Sequence, residues 1–342
     1  MNEVKVSDPL DKAEVIQTVK RLLEGRELQG FMVGIHYGPS YSDEQRETLK
    51  KGFQKELAEE LEGVLGCAAD YVDGDIQIYL DLERCTVSLH VKSVYIQGRY
   101  HKYERGLAQT IFYCHACKGR GCPSCGFSGR KGRTSIEELL TEPMKRASGA
   151  SRVILHGLGR EDVDVRMLGS GRPFVLELAE PLKRTFDLPA LEHEINSLHK
   201  GRIEVTGLRF ADRDAVKEVK SAVVDKVYEA RVVCDAGTGT ANPTLPSAAS
   251  LEWLVGTTFV IRQLTPRRVL PRRTDKVRMK RGTVLELERS SATELRLKLR
   301  ADSGLYVKEF ISSDLGRTRP SLASLLGSAC SCVELDVLEI LR

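Results

Sequence analysis

The sequence has no long apolar stretch and no leader-like start. Hydrophobic residues make up 41% of its 342 positions, and charged residues interrupt them throughout. No run approaches the roughly 20 apolar residues that a membrane-spanning helix needs. Residues 1–8 carry acidic side chains and lack the apolar centre of a signal peptide. We therefore expect a cytoplasmic protein without a transmembrane segment.

A large excess of one charge is also missing, because the net charge is only +4. That value does not identify a nucleic-acid-binding protein by itself. The distribution is more informative, since residues 262–281 contain nine basic side chains and a single acid, Asp275. Such a cluster predicts a surface that binds phosphates, although a solvated basic face has the same composition. The basic side chains are Arg262, Arg267, Arg268, Arg272, Arg273, Lys276, Arg278, Lys280 and Arg281.

Four of the nine cysteines form two Cys-x-x-Cys pairs separated by four residues. Each pair makes a turn that can point both sulfurs at one tetrahedral ion, so Cys114, Cys117, Cys122 and Cys125 predict a structural zinc site. A group of reduced thiols or a redox pair is the alternative. The other five cysteines show no ligand spacing and are interpreted as ordinary thiols: Cys67, Cys85, Cys234, Cys330 and Cys332.

The pattern of apolar residues predicts a mixed α+β fold. Helical spacing predicts helices over residues 11–25 and 42–65, and capping boxes begin at Ser42 and Ser135. Alternation of apolar and polar residues predicts two strands later in the first hundred residues and several in the second half, mostly antiparallel. Segment 237–249 has the composition of a linker.

Two segments combine charged residues in ways that suggest chemistry. In segment 98–110 tyrosines alternate with basic residues, a pattern that can stack on bases and bind phosphates. In segment 156–178 the glycines permit a tightly turned loop, and we expect this loop to hold Asp162 and Asp164 close to arginines. A carboxylate held among arginines stays ionised, as an enzyme acting on nucleic acid needs. A surface ion-pair cluster is the alternative interpretation.

This loop and several distant segments together resemble the tRNA pseudouridine synthases that modify uridines 54 and 55 of the TΨC arm in archaea and eukaryotes. The resemblance covers roughly residues 75–342. Segment 98–110 is similar to the end of that family's THUMP-containing domain. The other segments that carry it are Gly159–Asp162, Lys226–Ala230, Gln263–Arg273, Ser303–Ile311, Asp314–Pro320 and Val333–Val337.

The resemblance implies three parts along the chain. These are a THUMP-like RNA-binding domain over residues 1–112, a zinc knuckle over 113–134, and a catalytic domain of antiparallel sheets flanked by helices over 135–342. Residues 1–74 match the family poorly, and no Cys-x-x-Cys pair precedes Cys114.

The family's reaction implies a role for single residues. Pseudouridine formation breaks the N1–C1′ bond, turns the base and rejoins it through C5 without an organic cofactor. Asp162 matches the family's catalytic aspartate and acts on the sugar or the base, as nucleophile or base. Lys308 matches its cationic partner, Tyr228 matches an aromatic residue that stacks on the flipped uracil, and Leu335 matches an aliphatic residue of the pocket floor. Arg160 can fill the gap that the flipped base leaves.

Each of these assignments has a plainer alternative. Asp164 competes with Asp162 as the catalytic residue, Tyr228 and Leu335 can be ordinary core residues, and Lys308 can be a surface lysine. The expected partner is the tRNA elbow with its TΨC arm, bound by a monomer. The predicted RNA contacts are Arg99, Arg160, Arg166, Arg172, Arg267, Arg268, Arg272 and Arg273.

Other functions fit the sequence less well. A non-catalytic RNA-binding or RNA-folding protein would use the same zinc knuckle and basic residues. A THUMP-bearing methyltransferase would need a glycine-rich nucleotide loop after a strand, and the glycine clusters do not have that form. A zinc-dependent deaminase would need His-x-Glu followed by Pro-Cys-x-x-Cys, and that order is missing.

Overall fold

The structure is a computed structural model, and it describes residues 3–132, 134–235 and 251–341. The linker predicted at 237–249 lies outside the described residues. The described part has the predicted mixed α+β fold, with its strands in two sheets. In that part no helix combines the length and the apolar character that crossing a bilayer requires.

The smaller sheet has four strands in the order β1-β4-β3-β2, with β2 and β3 parallel and the other pairs antiparallel. A single π-helical turn at Lys50–Gln54 joins two of its helices. The elements in chain order are β1 (Glu3–Lys5), α1 (Lys12–Leu23), β2 (Phe31–His36), α2 (Asp43–Leu49), α3 (Lys55–Leu65), β3 (Ile76–Asp81) and β4 (Thr86–Val91).

Local signals in the sequence set the ends of these helices. The Asp11 carboxylate accepts hydrogen bonds from the first turn of α1, and Ser42 forms the predicted capping box with Gln45. Gly66 ends α3 in the left-handed conformation at φ 71°, which an L side chain rarely adopts. Apolar side chains such as Val19 and Leu61 are fully buried against the sheet. This part therefore has its own hydrophobic core.

The larger sheet has ten strands, nine of them in the order β13-β10-β11-β12-β9-β14-β7-β5-β8, with β6 paired to β7. All its pairs are antiparallel except β14 with β7. Its elements are β5 (Val94–Lys102), α4 (Ile136–Ser148), β6 (Arg152–Gly157), β7 (Arg166–Ala179), α5 (Leu188–Leu198), β8 (Ile203–Ala211), α6 (Asp214–Ser221), β9 (Lys226–Cys234), β10 (Thr258–Gln263), β11 (Arg278–Arg289), β12 (Glu294–Ala301), α7 (Val307–Ser312), β13 (Thr318–Arg319), α8 (Leu322–Leu326) and β14 (Cys330–Ile340).

Strand β5 belongs to the larger sheet, where it lies between β7 and β8. The two sheets therefore divide between Val91 and Val94. The resemblance implies a first domain that ends at residue 112. Alternation along β5 looks the same as alternation along β4, so periodicity does not reveal which sheet a strand joins. An ion pair of 2.9 Å between Arg184 and Asp75 links the two parts.

Candidate active site

A cleft of about 760 Å³ opens over the larger sheet, where β9 and β14 lie side by side. It collects side chains from several separate segments of the chain. All four predicted catalytic residues, Asp162, Tyr228, Lys308 and Leu335, line this cleft. Other lining residues include Phe112, Arg160, Glu161, Arg172, Lys226, Arg268, Arg272, Arg273, Arg278, Lys280 and Tyr306.

Asp162 lies on the loop that connects β6 to β7. Gly159 begins the loop at φ 73°, and a Cβ there would come within 3.3 Å of the Arg172 guanidinium. The Val165 amide donates a hydrogen bond of 3.1 Å to the Asp162 carbonyl and closes a turn. The Asp162 side chain remains 41% exposed, so its carboxylate faces the cleft. The loop thus presents one accessible carboxylate from a shaped backbone.

Two cations lie beside the Asp162 carboxylate at different distances. Arg268 Nη1 lies 2.9 Å from Asp162 Oδ2, whereas Lys308 Nζ lies 3.7 Å from the same oxygen. Lys308 donates its shorter hydrogen bonds, 2.7 and 2.8 Å, to Asp164. Burial opposes ionisation of Asp164, but the Lys308 ammonium lowers the pKa of its carboxyl below the usual value. Lys308 therefore bridges the two carboxylates, and Arg268 is the nearer partner of Asp162.

The sequence did not identify Arg268 as an ion-pair partner of Asp162. The sequence placed it among the RNA contacts because it is one of nine basic residues in a short stretch. In the structure its guanidinium also contacts the Glu309 carboxylate at 2.6 Å and lies over the Tyr306 ring, 6.0 Å from the centroid. No local pattern separates Arg268 from its basic neighbours, since the contact arises from tertiary packing.

Tyr228 and Leu335 form the base of the cleft on neighbouring strands. Val337 pairs with Tyr228 and Leu335 pairs with Ala230, which places all four side chains on one face of the sheet. Leu335 is buried, while Tyr228 is partly exposed to the cleft. Burial raises the pKa of the Tyr228 hydroxyl to about 12, so it stays protonated at neutral pH. An aromatic ring on an apolar floor is well placed to stack on a base.

Three arginines predicted as RNA contacts make hydrogen bonds or ion pairs within the protein. Arg172 is 1% exposed and makes an ion pair of 2.8 Å with Glu161, which is equally buried. Arg166 donates two hydrogen bonds to the Asp336 carboxylate, at 3.0 and 2.5 Å. Arg99 donates to main-chain carbonyls of Ser170 and Gly171. All three guanidiniums are engaged within the protein; Arg172 is enclosed, whereas Arg99 and Arg166 keep part of their surface exposed.

The remaining predicted contacts are exposed. Arg272 and Arg273 line the cleft, and Arg267 is exposed next to them on the loop between β10 and β11. Arg160 is exposed at the mouth of the cleft, where its guanidinium lies 5.3 Å from the centre of the Phe112 ring. Exposed arginines therefore line the same cleft as Asp162.

The four predicted metal ligands lie together, with their sulfurs within 4.8 Å of one another. Three sulfur pairs are separated by 3.7 to 3.9 Å, close to the edge of about 3.8 Å expected for a tetrahedron with metal–sulfur bonds of about 2.3 Å. The amides of Gly121 and Gly129 donate hydrogen bonds of 3.2 Å to Cys117 and Cys125. Amides that point at sulfurs stabilise thiolates, so the group can bind a metal ion.

One family model and two curated relatives point to the same family. A family described as "Pus10, C-terminal" matches residues 95–341. The tRNA pseudouridine synthase Pus10 of Methanothermobacter marburgensis is 42% identical over 297 residues, covering 86% of this chain and 72% of that protein. The corresponding protein of Archaeoglobus fulgidus is 39% identical over 331 residues, with coverages of 95% and 90%. A chain in the crystal structure of a Cbf5-Nop10-Gar1 complex aligns with a TM-score of only 0.34 at 12% identity, covering 71% of this chain and 58% of that one.

Proposed function

The chain belongs to the Pus10 tRNA pseudouridine synthase family, and we propose that the cleft around Asp162 isomerises a uridine of tRNA to pseudouridine. Enzymes of this kind are isomerases, because the product has the same atoms as the substrate. The observation that supports the proposal most strongly is the carboxylate itself. Asp162 is accessible, lies beside two cations and lines the same cleft as the Tyr228 ring.

The target uridine has to leave its stack before the carboxylate can reach it. A flipped base loses stacking energy, typically a few kcal/mol, and an aromatic side chain offsets part of that cost. Tyr228 takes this role, with Leu335 beneath the ring of the bound nucleotide. Arg160 lies at the mouth of the cleft, where it can fill the space that the base vacates.

Asp162 then acts on the sugar or on the base of the flipped nucleotide, as nucleophile or base. The N1–C1′ bond breaks, the uracil turns within the pocket, and a C5–C1′ bond forms. The C5 proton leaves and N1 gains a proton, so no oxidant, reductant or organic cofactor is consumed. Arg268 and Lys308 keep Asp162 ionised at the start of this sequence and orient it toward the reacting atoms.

The substrate class we propose is the TΨC arm of tRNA, with uridine 54, uridine 55 or both as targets. The exposed arginines between β10 and β11 bind phosphates of the arm. The N-terminal part is a THUMP-like accessory unit, and we place its end at Val91 because β5 belongs to the larger sheet. The Cys114–Cys125 group holds a structural zinc ion and supports an RNA-binding knuckle, and one protein chain acts on one tRNA.

An assay on an unmodified tRNA transcript tests this proposal. Pseudouridine can be mapped nucleotide by nucleotide after incubation with the protein, using carbodiimide modification and primer extension. We expect pseudouridine at position 54, position 55 or both. Absence of pseudouridine at every position, under conditions where the protein binds the transcript, would refute the function and favour a non-catalytic RNA-binding protein.

A further inference from the structure

We infer that Lys102 is a positioning residue for the reaction, assisted by Arg105. Lys102 ends strand β5, and Arg105 follows it in the turn that leaves the strand. Both side chains hold the main chain of the loop that carries Asp162. This inference rests on the proposed role of Asp162 in pseudouridine formation, and it adds residues that do not touch the substrate.

The Lys102 ammonium is enclosed beneath the catalytic loop. Its side chain is 0% exposed. Its Nζ donates hydrogen bonds to three main-chain carbonyls, those of Leu107 at 2.9 Å, Val163 at 3.0 Å and Asp162 at 3.2 Å. An ammonium has three N–H donors, so all of them are used. Two of the three carbonyls belong to the catalytic loop.

Arg105 holds the next carbonyl of the same loop. Its Nη1 donates to the Asp164 carbonyl at 2.8 Å and to the Leu335 carbonyl at 2.9 Å. It thereby connects the loop to the strand that supplies the floor of the cleft. The Gly106 amide donates to the Val163 carbonyl at 3.0 Å. Three consecutive carbonyls, at residues 162–164, are thus fixed by residues 102–106.

Stability alone does not explain a lysine at this position. Within the described residues, none of the hydrogen bonds of Lys102 goes to a carboxylate, and burial lowers the pKa of its ammonium to about 8. The charges of Glu161, Asp164 and Asp162 offset only part of this effect of burial. Burying a cation is costly, and an apolar side chain would fill the same space at lower cost. The ammonium does what an apolar side chain cannot, because it fixes two consecutive carbonyls, those of Asp162 and Val163, directly after the Asp162 Cα atom. A displacement of about 1 Å at a reacting group can cost about 100-fold in rate.

The same contacts revise the predicted role of segment 98–110. Its alternating tyrosines and basic residues suggested direct RNA contact. Tyr100 and Lys102 are both fully buried, and the Tyr100 hydroxyl donates to Glu161 at 2.9 Å beside the Asp162 loop. These two side chains therefore act on the site from below the loop rather than from its RNA-facing side.

Two variants test the inference, Lys102→Met and Arg105→Met, assayed as the full-length protein. The single-turnover rate of pseudouridine formation at saturating protein should fall by about 100-fold in Lys102→Met and about 10-fold in Arg105→Met. The Kd for the tRNA transcript should stay within about 3-fold of wild type, because neither side chain is among those that line the cleft. Arg184→Met, which breaks an ion pair between the two parts of the fold, serves as a control and should keep the wild-type rate.

Amide hydrogen exchange provides a readout that does not depend on activity. Peptides that cover residues 159–165 should exchange at least about 10-fold faster in Lys102→Met, whereas peptides from β8 should be unchanged. Wild-type rates in both variants, or unchanged exchange of the loop, would overturn the inference. If Lys102→Met does not fold, Arg105→Met decides the question by the same two measurements. The two proposals can fail separately. If the wild-type protein forms no pseudouridine, the proposed function is wrong. Faster exchange of the loop in Lys102→Met would still show that Lys102 holds the loop in place.

Discussion

Nη1 of Arg268 lies 2.9 Å from Oδ2 of Asp162. The same guanidinium contacts the Glu309 carboxylate at 2.6 Å, which holds it in place. The contact connects the basic loop after β10 to the loop between β6 and β7. Under the proposed function, RNA phosphates bound by the neighbouring arginines would act on the position of Asp162 through this contact.

Replacing Arg268 should consequently reduce the rate of the reaction more than it reduces RNA binding. Arg268→Met removes the nearest cation from Asp162, and we expect the single-turnover rate to fall by about 100-fold. The Kd for tRNA should rise by less than about 5-fold. Arg296→Met, on the exposed face of β12, is the matched control and should behave like wild type. A loss of affinity without a loss of rate would mean that Arg268 is only an RNA contact.

The cysteine group should hold one zinc ion per chain. Metal analysis of protein purified without added metal should give about one zinc, and Cys117→Ser should lower the content and destabilise the knuckle. Cys85→Ser is the control, since Cys85 lies outside the group and should leave the zinc content unchanged. Less than about half a zinc per wild-type chain would contradict a structural zinc site.

Binding to tRNA should weaken steeply with salt, because phosphate contacts release counterions. Arg272 and Arg273 are exposed along the cleft. Changing both to Ser should lower the slope of log K against log salt by about 2, one for each lost phosphate contact. Titrations between low and physiological salt measure this slope. An unchanged slope in the double variant would show that these arginines do not contact phosphates.

Lys226 should make the folding stability depend on pH. It is 8% exposed, and burial together with the charge of Arg172 lowers the pKa of its ammonium to about 8. Below pH 8 the ammonium is protonated in both states, and its burial destabilises the fold. Between pH 8 and the normal lysine pKa the folded protein has lost that proton while the unfolded chain keeps it. The free energy of unfolding therefore rises with pH in this window.

Lys226→Met removes this contribution. The variant should be more stable than wild type at pH 7, and its advantage should shrink by about 1 kcal/mol at pH 9. Urea denaturation of both proteins at the two pH values gives the difference. Lys102 also has a lowered pKa, but it is present in both proteins and cancels in the comparison. A difference that stays constant with pH would contradict the lowered pKa of the buried Lys226 ammonium.

Much of the fold follows from signals carried by neighbouring residues. The capping boxes at Ser42 and Ser135 form as predicted, since their partners lie three residues away on the same helix. The cysteine group also assembles as predicted, because the spacing of Cys-x-x-Cys pairs determines the turns. Short-range patterns of this kind depend little on the rest of the molecule.

The sequence did not reveal which basic side chains are buried, because burial depends on contacts between residues that are far apart in the chain. Arg172 and Arg272 are both basic residues in loop-rich segments, yet one is buried against Glu161 and the other is exposed on the cleft. Lys102 lies in an alternating strand that looks suited to RNA, yet its ammonium is fully enclosed. Burial is a property of the assembled sheet, so composition and spacing do not distinguish these residues.

The central claim is that Asp162 is the catalytic residue, and one comparison tests it most directly. Wild type, Asp162→Asn and Asp164→Asn are incubated with an unmodified tRNA transcript, and pseudouridine is mapped at positions 54 and 55. We expect Asp162→Asn to form no detectable pseudouridine while it binds tRNA with nearly wild-type affinity, because Asn is almost isosteric but is not a nucleophile or base. Asp164→Asn should retain activity, reduced by less than about 10-fold, since its carboxylate mainly pairs with Lys308. Pseudouridine formed by Asp162→Asn at the wild-type rate would contradict the account.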